Sequence, residues 1–194
     1  VICASHQPPG ITLVELLIVI SLLSIFAGLV LTCFEPSIHD QLQGAAQVIA
    51  ADLDYARSLA VSNTSTYRCT FDADADRYVL THSGENTALD VLPPSAYRRP
   101  DDAPEEQSTE LSRMPGVNGR LDLLGVVTAS DPPMRISVVE YGPLGETTRS
   151  DGATIWLAGG EGESRRYISV TVDPTTGMAW IGEFQATPPD LPEP

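Results

Sequence analysis

Lysine does not occur in this chain. All its fixed positive charge comes from 11 arginines, set against 26 aspartates and glutamates, for a formal net charge of -15. A surface with that imbalance repels phosphate backbones, so nucleic acid is not an expected partner of the folded part. Cysteine is scarce as well. Cys3, Cys33 and Cys69 form no CxxC pair and stand at no paired-histidine spacing, which excludes a predicted zinc site or redox dithiol. A Cys33–Cys69 disulfide is not expected either. A helix running to about Ser62 starts the two roughly 40 Å apart, at about 1.5 Å per residue. Charge is missing altogether from Leu16 to Phe34, and from Val1 through Glu35 the only ionisable side chains besides the thiols are His6, Glu15 and Glu35. The 194 residues therefore divide into an apolar arm and one acidic body of ordinary domain size.

The charge-free run of 19 residues, Leu16 to Phe34, gives a helix of about 28 Å, close to the thickness of a bilayer's hydrocarbon core. A cleaved secretory signal fits poorly, because it needs a basic start and no arginine precedes Arg57. A lipoprotein signal at Cys33 would follow Gly, Ala or Ser, whereas Thr32 stands there. The boundary at Gly10 is more informative. His6-Gln7-Pro8-Pro9-Gly10 resists helix, and helix signals start directly after it. Thr12-Leu13-Val14-Glu15 fits a T-x-x-E capping box, which accounts for a carboxylate at a helix start. It does not account for a carboxylate immersed at the head of a bilayer-length apolar run, which is costly and by default marks function.

The stretch "GITLVELLIVI", Gly10 to Ile20, closely resembles the class III signal of type IV pilins and type II secretion pseudopilins. The resemblance implies cleavage after Gly10 by a prepilin peptidase, N-methylation of the new first residue Ile11 by the same enzyme, and pairing of Glu15 with the terminal ammonium of a neighbouring subunit during filament assembly. Ile11 stands where the family usually has Phe.

After Glu35-Pro36 the pattern turns amphipathic, with Ile38, Leu42, Ala45, Ile49, Leu53, Ala56 and Ala60 at three- and four-residue steps. One long helix from about Thr12 to Ser62 is predicted, kinked at Pro36. Strands are expected at Thr66–Phe71, Arg77–Thr81, Leu121–Thr128, Arg135–Tyr141, Ala153–Ala158, Arg166–Val172 and Met178–Phe184. Residues 86–119, rich in Pro, Asp, Glu and Ser, read as an insertion loop, and 186–194 as a disordered tail. Asp72, Asp74 and Asp76 are weak calcium candidates, but Arg77 and Ser83 occupy the places where an EF-hand needs Gly and Glu, so a solvated turn is the expectation. "GGEGES" lacks the Gly-Lys-Ser/Thr end of a phosphate loop and reads as a flexible turn. His39 and His82 belong to no recognisable triad or metal spacing.

The body segments "ARSLAVSNTSTYRCTF", "VVEYGPLGE" and "RRYISVTVDPTTGMAWI" resemble, more loosely, the GspH and FimT group of minor pseudopilins and minor pilins. Together these readings predict an α+β protein. Its parts are a leader (1–10), an apolar membrane and filament-core helix (11–35), an amphipathic helix (36–62) and a β-rich periplasmic domain (63–185). The resemblance implies a structural subunit, without cofactor or catalytic role, whose partners are the prepilin peptidase and methyltransferase, other pilins or pseudopilins, and the inner membrane. A DNA-uptake minor pilin and a membrane-anchored periplasmic hydrolase are the alternatives. A histidine grouped with a carboxylate and a nucleophile would favour the latter.

Overall fold

A computed structural model describes residues 12–31, 37–93 and 102–192, the side chains of residues 28–31 excepted. Cys3, Gly10, Ile11, Cys33 and Pro36, and the stretch 94–101 of the expected insertion loop, lie outside the described residues. The chain divides into two units, Val1–Glu35 and Pro36–Pro194.

The first unit holds helix α1, Leu13–Leu31. Leu, Ile and Val occupy all sides of it, so it has no apolar stripe, and every residue from Thr12 to Ala27 is exposed. Among the described residues no helix is long and apolar enough to cross a membrane. The charge-free run on which a span was predicted extends to Phe34, past the last described residue of α1.

The second unit starts with helix α2, Ile38–Asn63. The expected uninterrupted helix is corrected here. Ser37 is extended (φ -63, ψ 159), its hydroxyl accepts from Asp40 N, and the Asp40 carboxylate accepts from Ser37 N. That reciprocal pairing is a capping box, and it gives α2 a helix start of its own. Of the predicted stripe, Leu42, Ala45, Ile49, Leu53, Ala56 and Ala60 are at most 1% exposed, Ile38 is only partly buried, and Ala46 joins the buried face. Several of them are alanines, so strands can pack close to the helix axis.

Among the described residues nine strands follow in chain order: β1 (Tyr67–Asp72), β2 (Arg77–His82), β3 (Glu106–Glu110), β4 (Leu121–Thr128), β5 (Arg135–Ile136), β6 (Val138–Tyr141), β7 (Ala153–Gly159), β8 (Arg166–Val172) and β9 (Ala179–Ile181). They form two antiparallel sheets, one ordered β3-β2-β1-β6 and the other β5-β4-β7-β8-β9. Helix α2 touches β1 and β6 of the first and β7, β8 and β9 of the second, so its stripe is the shared floor of both sheets. The α+β architecture expected from the sequence is therefore the one observed.

Two strand expectations are corrected. Arg135–Tyr141 is two strands, since the chain leaves one sheet after Ile136 and joins the other at Val138, with Ser137 between them. Residues 86–119 are not all loop: they contain β3, paired with β2 from Arg77↔Glu110 to Thr81↔Glu106, and short 3-10 turns at Thr87–Leu89 and Leu111–Arg113.

One buried polar tie holds α2 to the first sheet. The Asp52 carboxylate accepts from Tyr78 Oη at 2.6 Å and from Thr109 Oγ1 at 3.4 Å, inside the core. Desolvation pushes the Asp52 carboxyl above its usual range, and the two hydroxyl donors offset part of that rise. A carboxyl that takes up its proton more readily when folded opposes folding above its folded pKa, and this penalty is relieved as pH falls through that value. The melting temperature of the wild type relative to Asp52→Asn is therefore expected to move in the wild type's favour as pH is lowered from neutral toward the usual carboxylate range. A difference independent of pH would contradict this.

Candidate functional sites

The first candidate is the head of α1. Thr12 accepts from Glu15 N through its hydroxyl at 3.2 Å and from Leu16 N through its carbonyl at 3.1 Å, which supplies the threonine half of the predicted capping box. Glu15 is exposed among exposed apolar neighbours, with Leu13 78% and Leu16 54% accessible. Farther along, Ser21 and Ser24 donate their hydroxyls to the carbonyls of Leu17 and Ile20, both at 2.8 Å. That back-bonding hides two polar groups from the surroundings and leaves Glu15 as the polar feature of the helix surface between Leu13 and Ala27. A helix apolar on all sides needs cover from lipid or from other helices.

The acidic turn at Asp72–Asp76 does other work than the calcium reading supposes. Asp72 accepts from Ala75 N at 3.1 Å and pairs with Arg77 at 3.3 Å. Asp76, in the left-handed region at φ 47, accepts from Leu123 N through its carboxylate at 2.8 Å and from Leu111 N through its carbonyl at 2.9 Å. It thereby pins the first hairpin to β4. Among the described residues no group of three His, Cys, Asp or Glu is disposed to hold a metal ion. Cys69 is free and buried, and burial pushes its thiol pKa up, so the thiolate is suppressed.

His39 packs edge-on against Phe184 with ring centroids 4.5 Å apart. The reading that His82 joins no triad is corrected. Its Nδ1 lies 2.7 Å from Asp90 Oδ1 and its Nε2 lies 2.7 Å from Ser65 Oγ. An ionised carboxylate only accepts, so Nδ1–H donates to Asp90, which leaves Nε2 facing the Ser65 hydroxyl. The side chain of His82 is fully enclosed and that of Asp90 is 40% exposed. The Tyr67 ring meets His82 edge-on at 5.0 Å.

Three different elements converge to make this array. Ser65 follows the left-handed cap Thr64 (φ 48, ψ 47) at the end of α2, with its amide donated to Ala60 O. His82 ends β2, and Asp90 follows the 3-10 turn Thr87–Leu89. No motif in the sequence announces the grouping, because sequence spacing carries no information about which strand end meets which helix end. Elsewhere, a cleft of about 980 Å³ lies beside the sheet-to-sheet passage at Ser137, lined by Asp72, Asp74, Arg135, Glu140 and Arg149 among others.

Two solved structures are similar. Both are crystal structures of the type IV minor pilin FimU of Pseudomonas aeruginosa, in different crystal forms. One is 16% identical with a TM-score of 0.45, covering 77% of this chain and 90% of that one. The other is 18% identical with a TM-score of 0.42, covering 73% of this chain and 93% of that one. No protein-family model matches the chain, and no curated protein matches it.

Proposed function

We propose that the chain is a pilin-like structural subunit, stored in the inner membrane by its apolar helix and assembled through that helix into a type II secretion pseudopilus or a type IV pilus. The observation that carries this reading is the run from Gly10 to Ile20: a glycine boundary, then an apolar stretch whose fifth residue is a carboxylate. In the proposed sequence of events a prepilin peptidase cuts after Gly10 and methylates Ile11. Glu15 then receives the ammonium of a neighbour's Ile11 as helices bundle. The acidic domain stays in the periplasm and offers its surface to other pilins.

The chemistry supports an assembly role for Glu15. An unpaired carboxylate in an apolar bundle costs several kcal/mol, and an ammonium brought to it removes much of that penalty, so one axial register is favoured over others. The net charge of -15 weighs against the DNA-uptake alternative, since phosphate would meet a surface of its own sign. Co-expression with an active prepilin peptidase is expected to shorten the chain by its leader. A chain left uncut, or cut near Cys33, contradicts the reading.

A further inference from the structure

From the Ser65–His82–Asp90 array we infer that Ser65 is a nucleophile toward small, activated acyl and phosphonyl electrophiles, a reactivity separate from filament assembly. The geometry carries the inference. A serine hydroxyl, both nitrogens of one imidazole and a carboxylate stand in series with two contacts of 2.7 Å. This is the connectivity by which a general base activates an alcohol: the carboxylate fixes the tautomer, and the free imidazole nitrogen faces the hydroxyl.

Two further features set Ser65 apart from a serine that merely closes a loop. It follows Thr64, a β-branched residue in the left-handed region, where such side chains are rare and the backbone stores strain. Gly84 stands directly over it: a Cβ there would collide with Ser65 Oγ and come within 2.8 Å of His82 Nε2. The Gly84 backbone therefore closes one side of the hydroxyl without room for a single added carbon, which limits the reagent to small electrophiles arriving from another side. Ser65 itself is partly exposed.

The reaction is acyl transfer to serine. Ser65 Oγ attacks the carbonyl carbon and forms the new C–O bond while its proton passes to His82 Nε2. The bond to the alcohol or phenol leaving group then breaks, and His82 returns the proton to that oxygen. Water attacks the acyl-serine with His82 again taking a proton, which releases the carboxylic acid and restores Ser65. With a fluorophosphonate the first half ends in a stable phosphonyl-serine and fluoride. Asp90 is a positioning residue, since it touches only His82.

The test uses the full chain in detergent with a fluorophosphonate probe and, in parallel, p-nitrophenyl acetate. The folded wild type is expected to carry one phosphonyl adduct on the peptide containing Ser65, and the heat-denatured protein none. His82→Asn is expected to label about a hundredfold slower or less. Asp90→Asn, checked for native circular dichroism, is expected to label at least about tenfold slower and to regain rate in Asp90→Glu. Absence of a Ser65 adduct in the folded wild type overturns the inference, as does equal labelling in His82→Asn. Either result would make the array a structural tie. Neither bears on cleavage at Gly10, so the two readings fail separately.

Discussion

Replacing Glu15 by leucine is expected to leave cleavage after Gly10 intact and to reduce incorporation into filaments at least about a hundredfold. The factor follows from the energetics of a paired charge in an apolar bundle. Removing one partner leaves the other unpaired at a cost of about 3–5 kcal/mol, and each 1.4 kcal/mol is about a factor of ten. Glu15 is suited to the proposed pairing because the described helix surface, Leu13 to Ala27, offers no competitor. Its neighbours are apolar, and the hydroxyls of Ser21 and Ser24 are already committed to backbone carbonyls. Leucine keeps the helix and its apolar surface, so anchoring and helix propensity are preserved. Co-sedimentation with sheared filaments measures the effect, and normal incorporation of Glu15→Leu would remove Glu15 from the assembly mechanism.

The second large effect concerns the folded body. Gly177→Val is expected to lower stability by at least about 3 kcal/mol, from two causes that add. Gly177 has φ 64, where a β-branched side chain is strained, and a Cβ there would run into the carbonyl oxygen of Gly145 and reach 3.1 Å from the buried Tyr141 ring. The turn cannot shift to make room. Asp173 holds it through its carbonyl to Gly177 N at 2.9 Å and through its carboxylate to Thr175 N and Thr176 N at 3.0 and 2.7 Å. Gly44, in the interior of α2, is the contrast. A Cβ there meets nothing within 4 Å, so Gly44→Ala is expected to stabilise by about 0.5–1 kcal/mol. Urea unfolding of the two variants measures both. A mild Gly177→Val would mean that the 142–147 loop yields, which the contacts with Gly145 and Tyr141 argue against.

How far the fold is legible in the sequence depends on whether local pattern or pairing decides each element. Leu121–Thr128 and Arg166–Val172 are legible to their observed bounds, because β-branched and apolar residues crowd strands buried in a sheet. The stripe of α2 is equally plain, since burial on one side of a helix imposes its own period. The separate start of α2 is absent from the sequence-based expectation although its pattern is present: Ser37-Ile38-His39-Asp40 is a capping box with Asp in place of Glu. Strand β3, "EQSTE", is not legible. Its buried residues Gln107, Ser108 and Thr109 are polar, and only the neighbouring β2 makes them a strand. The break at Ser137 is hidden for the same reason, since both halves of Arg135–Tyr141 have strand character and only the two sheets part them.

The candidate sites divide along the same line. The proposed roles of Gly10, Ile11 and Glu15 rest on one continuous stretch of sequence, Gly10 to Ile20. The Ser65–His82–Asp90 array is invisible because it exists only after a helix end, a strand end and a 3-10 turn have met. Asp76 stands out in the sequence for a reason the fold does not use. Its acidic spacing suggests a cation, whereas the folded chain has it receive two backbone amides.

The mature amino terminus is the most direct test of the pilin-like reading. Intact-mass and terminal-peptide mass spectrometry of the chain, purified from cells with an active prepilin peptidase, is expected to find Ile11 as the first residue, carrying one methyl group on its nitrogen. A mature chain that retains Gly10, or that begins near Cys33, would contradict it.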